Sequence, residues 1–368
     1  MAATSTGSYR VIDADGHVME LDDELRQYLP APFGDMWWLH TYSLWAGWDG
    51  YVRALRPPGG AVREGRGPTA EDWLTFLDTN GIERTVLYPT QGLTLGVYQD
   101  VEFAVALARA YNDWLADRFM NVSPRLIGVA LLPIQDVGES VKELRRGVTE
   151  LGMPGGVVPS VVQARPFFGD PIYYPLWEAA QELDVPIAIH SGTAAYLGLD
   201  GLQNQAAAHC LEHPFGQWRQ FTHMMFEGVF ELFPRLRLAV LECGIGWVPW
   251  MMDRMDEEIE RKGRFTRRLK RRPSDYIRDG NIYFTVEVEE TTLPLFVRHV
   301  RPDILLWASD YPHERAEGEF SEDIPTLIAR EDIDDELRRR IFFDNPRRLY
   351  GLDQNGENVR RKQLAMST

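Results

Sequence analysis

Asp15 and His17 stand two residues apart where the apolar run of YRVIDADGHVME (residues 9 to 20) ends. On an extended segment their side chains leave the same face and can share one ion. Three later apolar runs also end in groups that bind metals or move protons: PIAIHSG carries His190, RLAVLECG Glu242 and ILLWASDY Asp310. Two imidazoles with one or two carboxylates suit Zn2+ or Mn2+ with a coordination position left open, whereas Mg2+ or Ca2+ prefers an all-oxygen shell. One divalent ion, Zn2+ ahead of Mn2+, is therefore expected on Asp15, His17, His190 and Asp310, with Asp13 serving backbone donors or supporting the ligands.

Other candidates lie beside these. Glu242 is the acid–base group, because a carboxylate near a metal in a barrel mouth can be tuned toward neutral pKa; Cys243 is the weaker alternative. His313, three residues past Asp310, is within reach of the same centre, and Asp310 itself can act as a base. His209-Cys210-Leu211-Glu212-His213 fits H-x-x-E-H, a zinc-protease signature that needs both histidines on one helical face. Pro214 follows directly and biases His213 away from helix. The segment reads instead as a loop over the mouth, with His209 and His213 touching substrate.

The elements that must position these groups are eight. Besides the first, strand-like runs fall at residues 84 to 90, 126 to 134, 155 to 160, 186 to 192, 237 to 244, 281 to 289 and 304 to 311. Between them lie stretches with apolar residues at three- and four-residue spacing, several beginning with Asp-Val or Asp-Pro-Ile, which suits helix capping. Near-continuous apolar strands, each followed by a helix, predict a (β/α)8 TIM barrel. From His17 to His190 and on to Asp310 the chain spends about 40 residues per strand–helix unit, which a barrel with insertions accommodates. The insertions, at about 21–82 and 193–222, follow strands and so fall on the C-terminal face, where barrel active sites sit. One domain spans 9–352, and 353–368 reads as a polar, mobile tail.

Composition narrows the function class. A net charge of −16 argues against nucleic acid and anionic membranes, and a hydrophobic content of 44% with 11 tryptophans argues for a large buried core. Cys210 and Cys243, without C-x-x-C spacing, read as reduced thiols. The N-terminus lacks an apolar leader segment, and the stretch LAVLECGIGWVPWMM is short and contains Glu242, so a cytoplasmic protein is expected. Apolar helices and Trp-rich insertions point to a homodimer acting on a small molecule.

Taken together, VIDADGH, PIAIHSG, GVFELFPRLRLAVLECGIGWVP, LLWASDYPH and IFFDNPRRLYGL resemble the amidohydrolase superfamily, in the branch typified by aminocarboxymuconate semialdehyde decarboxylase. The likeness runs from Val11 to Leu352. It implies a barrel with a single divalent metal, Asp15 standing in the first ligand place, where the family commonly has histidine, and His17, His190 and Asp310 in the others. Decarboxylases of that branch usually carry a histidine just after the sixth strand, where this chain reads Glu242-Cys243-Gly244. The leading expectation is a metal-dependent decarboxylase, free of organic cofactor, of an aromatic or unsaturated carboxylic acid, with Glu242, His313 or Asp310 delivering the proton. The alternative is a metal-dependent hydrolase of an amide, lactone or C–C bond, with Asp310 as general base. A third is a non-catalytic barrel that binds a small acid.

Overall fold

The computed structural model describes residues 9–40, 43–46, 67–163, 165–193, 195–199, 201–263, 268–313 and 322–367. The strands are β1 (Ile12–Val18), β2 (Arg84–Pro89), β3 (Leu126–Gly128), β4 (Ala130–Leu131), β5 (Gly156–Pro159), β6 (Pro186–His190), β7 (Arg237–Val240), β8 (Ile282–Thr285) and β9 (Leu305–Leu306). Every pairing is parallel, and apart from the first residues of β2 and β7 each strand residue is buried. Covering on both faces is why these runs are near-continuously apolar rather than alternating.

The third run of the sequence is cut into β3 and β4, and the chain changes neighbours across the cut. Val129 N–H donates to Leu87 O at 3.2 Å, and Ala130 N–H donates to Gly155 O at 2.9 Å. The Asn112 side chain braces this break, accepting from Leu131 N–H at 2.8 Å and donating to Leu131 O at 3.0 Å. At the opposite seam Ala14 N–H donates to Trp307 O (3.1 Å), His17 N–H to Tyr311 O (2.8 Å) and Asp310 N–H to Asp15 O (3.1 Å). First and last strands are thus joined, and the sheet closes as the (β/α)8 barrel read from the sequence.

The helices that follow the strands are α1 (Ala70–Asn80), α2 (Val101–Leu115), α3 (Val137–Thr149), α4 (Tyr174–Leu183), α5 (Gln205–Phe226), α6 (Trp247–Lys262), α7 (Leu293–His299) and α8 (Asp323–Ala329). Asp100 and Asp136 cap α2 and α3 through the N–H groups of Phe103 and Glu139, as the Asp-Val pairs lead one to expect. Among the described residues no helix is long and apolar enough to cross a membrane. The first expected insertion is only partly irregular, since α1 ends it, and residues 47–66 lie outside the described residues. The polar tail is a helix, Val359–Ser367, tied back by Arg361 to Leu151 O and by Arg360 to Leu183 O.

The second correction is larger. The segment expected to loop over the mouth is the 22-residue helix α5, which runs through Pro214. Proline removes one intrahelical bond, here the one that would reach the carbonyl of Cys210, an exposed residue at the mouth. Tertiary anchors outweigh that loss. Ser191 Oγ donates to His213 O at 3.1 Å, Gln217 exchanges bonds with both backbone groups of Leu241, and Gln220 reaches Ser160 O at 2.8 Å. A Cβ on Gly216 would fall 2.6 Å from Ser160 Oγ, so only glycine lets the helix settle this close to the strand ends.

Asp13 is the other fixed point. Fully buried, it accepts from Thr85 Oγ1 (2.7 Å), Ser309 N–H (2.9 Å), Ser309 Oγ (2.8 Å) and Asp15 N–H (3.3 Å), so it fastens β1 to β2 and to the chain beyond β9. Asp13→Ala leaves several buried donors unpaired, each costing about 1–3 kcal/mol. Urea denaturation of metal-free protein should show a loss of roughly 3 kcal/mol for this variant and about 1 kcal/mol for Thr85→Val.

Candidate metal centre and barrel mouth

Four ligand-type side chains converge where the strands end. His17 Nε2 lies 3.5 Å from Asp15 Oδ1 and 3.5 Å from Asp310 Oδ1, while His190 Nε2 lies 3.4 Å from Asp15 Oδ2. Donors about 2.1 Å from one tetrahedral ion stand about 3.4 Å apart, so these separations are the edges of a coordination polyhedron. Asp15 Oδ1, His17 Nε2 and His190 Nε2 are buried without any hydrogen-bond partner. The other ring nitrogens are held by backbone carbonyls, His17 Nδ1 by Pro89 O at 2.9 Å and His190 Nδ1 by Ser191 O at 2.6 Å. That arrangement places a proton on Nδ1 and turns each Nε2 toward the carboxylates, where a metal would take its lone pair. The residues fit a divalent ion.

The two later carboxylates arrive on bent backbone. Glu242 and Asp310 have φ of 52° and 51°, left-handed values uncommon for residues with a Cβ. Glu242 N–H is held by Thr285 Oγ1 at 2.7 Å and Asp310 N–H by the Asp15 carbonyl at 3.1 Å. Glu242 presents one oxygen to His190 Nε2 at 3.2 Å and the other to His213 Nε2 at 3.3 Å. This separates it from Cys243, whose thiol burial pushes far up and whose Sγ sits 4.0 Å from Gly244 O.

His313 is bound at both nitrogens, Nδ1 to Asp310 Oδ1 and Nε2 to Thr90 Oγ1, each at 2.8 Å. Thr90 is in turn fixed by Glu20, whose buried carboxylate accepts the N–H groups of Thr90, Gln91 and Gly92 at 3.2, 2.9 and 2.9 Å. Thr90 ends an apolar run, so the strand-end rule that picked His190 would also have found it. Glu20 and Gln217 carry no such signal; their roles exist only in the fold.

Charges in the cluster bias one another strongly. Burial, then the Asp310 charge, pushes Glu242 up to about 8. Burial pushes Asp310 up too, but the His313 charge and hydrogen bond, with His17 and His190, bring it down to about 2. Burial lowers His190, yet Asp15 and Glu242 outweigh it and raise the ring to about 9. Burial pushes His209 and His213 down to about 4 and keeps them neutral. Neutral rings at His209 and His213 beside a centre crowded with carboxylates are what a bound cation would use.

The cluster opens into a cavity of about 690 Å3 lined in part by Asp15, His209, His213, Glu242, Thr285 and Asp310. The side chains named from the sequence, Asp15, His17, His190, His209, His213, Glu242, Asp310 and His313, are all brought to this mouth, His313 standing against His17 with ring centroids 4.2 Å apart.

Comparisons with known proteins identify the family and the fold. The family model described as Amidohydrolase matches residues 12–352. The gamma-resorcylate decarboxylase of Rhizobium radiobacter is 29% identical over 296 residues, covering 76% of this chain and 86% of that protein. A crystal structure of 5-carboxyvanillate decarboxylase from Sphingomonas paucimobilis superposes with a TM-score of 0.73 at 21% identity, covering 94% of this chain and 100% of that one. A dihydroxybenzoic acid decarboxylase from Polaromonas, with bound manganese and the inhibitor 2-nitroresorcinol, superposes with a TM-score of 0.69 at 22% identity, covering 95% of this chain and 99% of that one. With nearly its whole barrel matched, the chain belongs to the amidohydrolase family.

Proposed function

We propose that this chain is a metal-dependent decarboxylase of an aromatic or unsaturated carboxylic acid. The observation that carries the proposal is the set of buried, unpartnered ligand atoms on Asp15, His17 and His190, closed by Asp310 and opening onto a cavity faced by Glu242. The similarity to gamma-resorcylate decarboxylase supports the reaction class. The donor set of two imidazoles and two carboxylates accepts Zn2+ or Mn2+, and the manganese bound in the Polaromonas structure sets Mn2+ level with Zn2+.

When bound, the ion supplies positive charge for the substrate carboxylate and for the negative charge that develops as carbon dioxide leaves. The remaining work falls to the chain. Asp15 and His17 hold one side of the centre, His190 and Asp310 the other, and His313 fixes the rotamer of Asp310 through Nδ1. Glu242 reaches into the mouth from beyond β7 and hands a proton to the substrate carbon that loses its carboxylate. His209 and His213 line the same mouth and contact the rest of the substrate. A cytoplasmic homodimer is also proposed, its interface drawn from exposed apolar groups such as Trp37 and Trp250.

Protein loaded with Mn2+ or Zn2+ should release carbon dioxide from at least one acid of a hydroxybenzoate panel, lose that activity to a chelator and regain it on reloading. Hydrolysis of amide or lactone substrates without carbon dioxide release would instead establish the hydrolase. Glu242→Gln should lower kcat by about 10^2- to 10^4-fold while the ion on Asp15, His17, His190 and Asp310 is retained, as shown by metal analysis. His313→Ala should weaken affinity for that ion by roughly 10- to 100-fold, with kcat largely recovered at saturating metal, because its part is to orient Asp310.

A further inference from the structure

The H-x-x-E-H stretch lies on continuous helix after all. His209 and His213 are four residues apart on α5, their ring centroids 4.7 Å apart, so they share one face. Opposite them stands Glu242, and one ligand atom from each of His209, His213 and Glu242 lies within 4.8 Å of the other two. His213 is buried, with Nδ1 lacking a hydrogen-bond partner.

The Glu242 carboxylate lies between two groups of imidazoles. Its Oε2 is 3.2 Å from His190 Nε2, within the first centre, and its Oε1 is 3.3 Å from His213 Nε2. Both separations match the ligand–ligand edge of an ion coordinated at about 2.1 Å. The helix that carries the histidines is fixed to the strand ends by Ser191, Gln217 and Gln220, so the two imidazoles are held in place before any ligand arrives.

Charge at the mouth points the same way. The described residues lining the cavity include the carboxylates Asp15, Glu242, Glu287, Glu289, Glu290 and Asp310, and no lysine or arginine. One divalent ion at the first centre offsets only part of that charge. A substrate with a second anionic oxygen would meet carboxylates on the far side of the mouth unless another cation stood there.

We propose that His209, His213 and Glu242 form a second divalent-cation site, with Glu242 bridging it to the centre of Asp15, His17, His190 and Asp310. Two imidazoles and a carboxylate suit Mn2+, Fe2+ or Zn2+ and leave positions open for a substrate oxygen. The proposal does not rest on the decarboxylase reading, because ion stoichiometry is read without substrate; in the two-ion form Glu242 is an ionised ligand, and the proton delivery assigned to it above belongs to the one-ion form.

The test is titration of the full, metal-stripped chain with Mn2+, and separately with Zn2+, followed by metal analysis after gel filtration and by electron paramagnetic resonance of the Mn2+ form. Wild type should hold two ions per chain and give the spectrum of a spin-coupled manganese pair. His209→Gln and His213→Ala should each hold one ion and give an uncoupled spectrum, with unchanged far-ultraviolet circular dichroism. His209 is only half-buried, so His209→Gln serves even if His213→Ala fails to fold. One ion per chain in wild type at saturating Mn2+ and Zn2+ would overturn the proposal. So would a second ion that persists undiminished in His209→Gln.

Discussion

Lone pairs that the protein itself leaves without partners are the constraint on which this molecule turns. Burying a polar atom away from water without a compensating bond is costly, and burying several side by side multiplies the cost. Asp15 Oδ1, His17 Nε2 and His190 Nε2 are all in that condition, within a few ångströms of one another. The surroundings hold them there. Asp13 fastens the backbone beneath Asp15, two carbonyls fix the histidine tautomers, and the first and last strands join immediately beside the cluster. The energy of the closed barrel sustains an arrangement that a bound cation would relieve.

Bringing the fourth and fifth groups to the same point needs backbone that strands do not supply. Asp310 and Glu242 both lie just past strand ends in left-handed conformation, each with its N–H pinned by a neighbouring strand. Local strain of this kind persists where surrounding bonds over-determine it. His313, Thr90 and Glu20 form a buried relay of hydrogen bonds behind Asp310, so the geometry of that ligand depends on a loop from the far side of β2.

Helix α5 shows tertiary structure overruling a local preference. Pro214 disfavours helix at His213, yet the helix continues because Ser191 beyond β6 holds its backbone and its own Gln217 and Gln220 bond to backbone groups beyond β7 and β5. The consequence is chemical, since a loop would have left His209 and His213 independent, whereas a helix sets them on one face opposite Glu242. Both oxygens of that carboxylate are then committed to imidazoles. A carboxylate in this place, where the sequence likeness leads one to look for histidine, changes the charge of the mouth and with it the range of cations and substrates the mouth can take.

Much of the site was legible in the sequence because strand ends have a simple grammar. Apolar runs that stop at Asp15, His17, His190 and Asp310 mark the C-terminal rim of a barrel, and their types name a metal before any fold is seen. Alternation of strand and helix likewise determined the barrel. What the sequence could not carry was anything that depends on groups distant in the chain arriving together. Glu20 reads as an ordinary acid and Gln217 as an ordinary amide until the fold sets them against the backbone of residues 90 to 92 and of Leu241. The break between β3 and β4 and the path of α5 through Pro214 were decided only in three dimensions. Each turns on hydrogen bonds between segments far apart in sequence, and those bonds outweigh the local propensities from which a sequence is read.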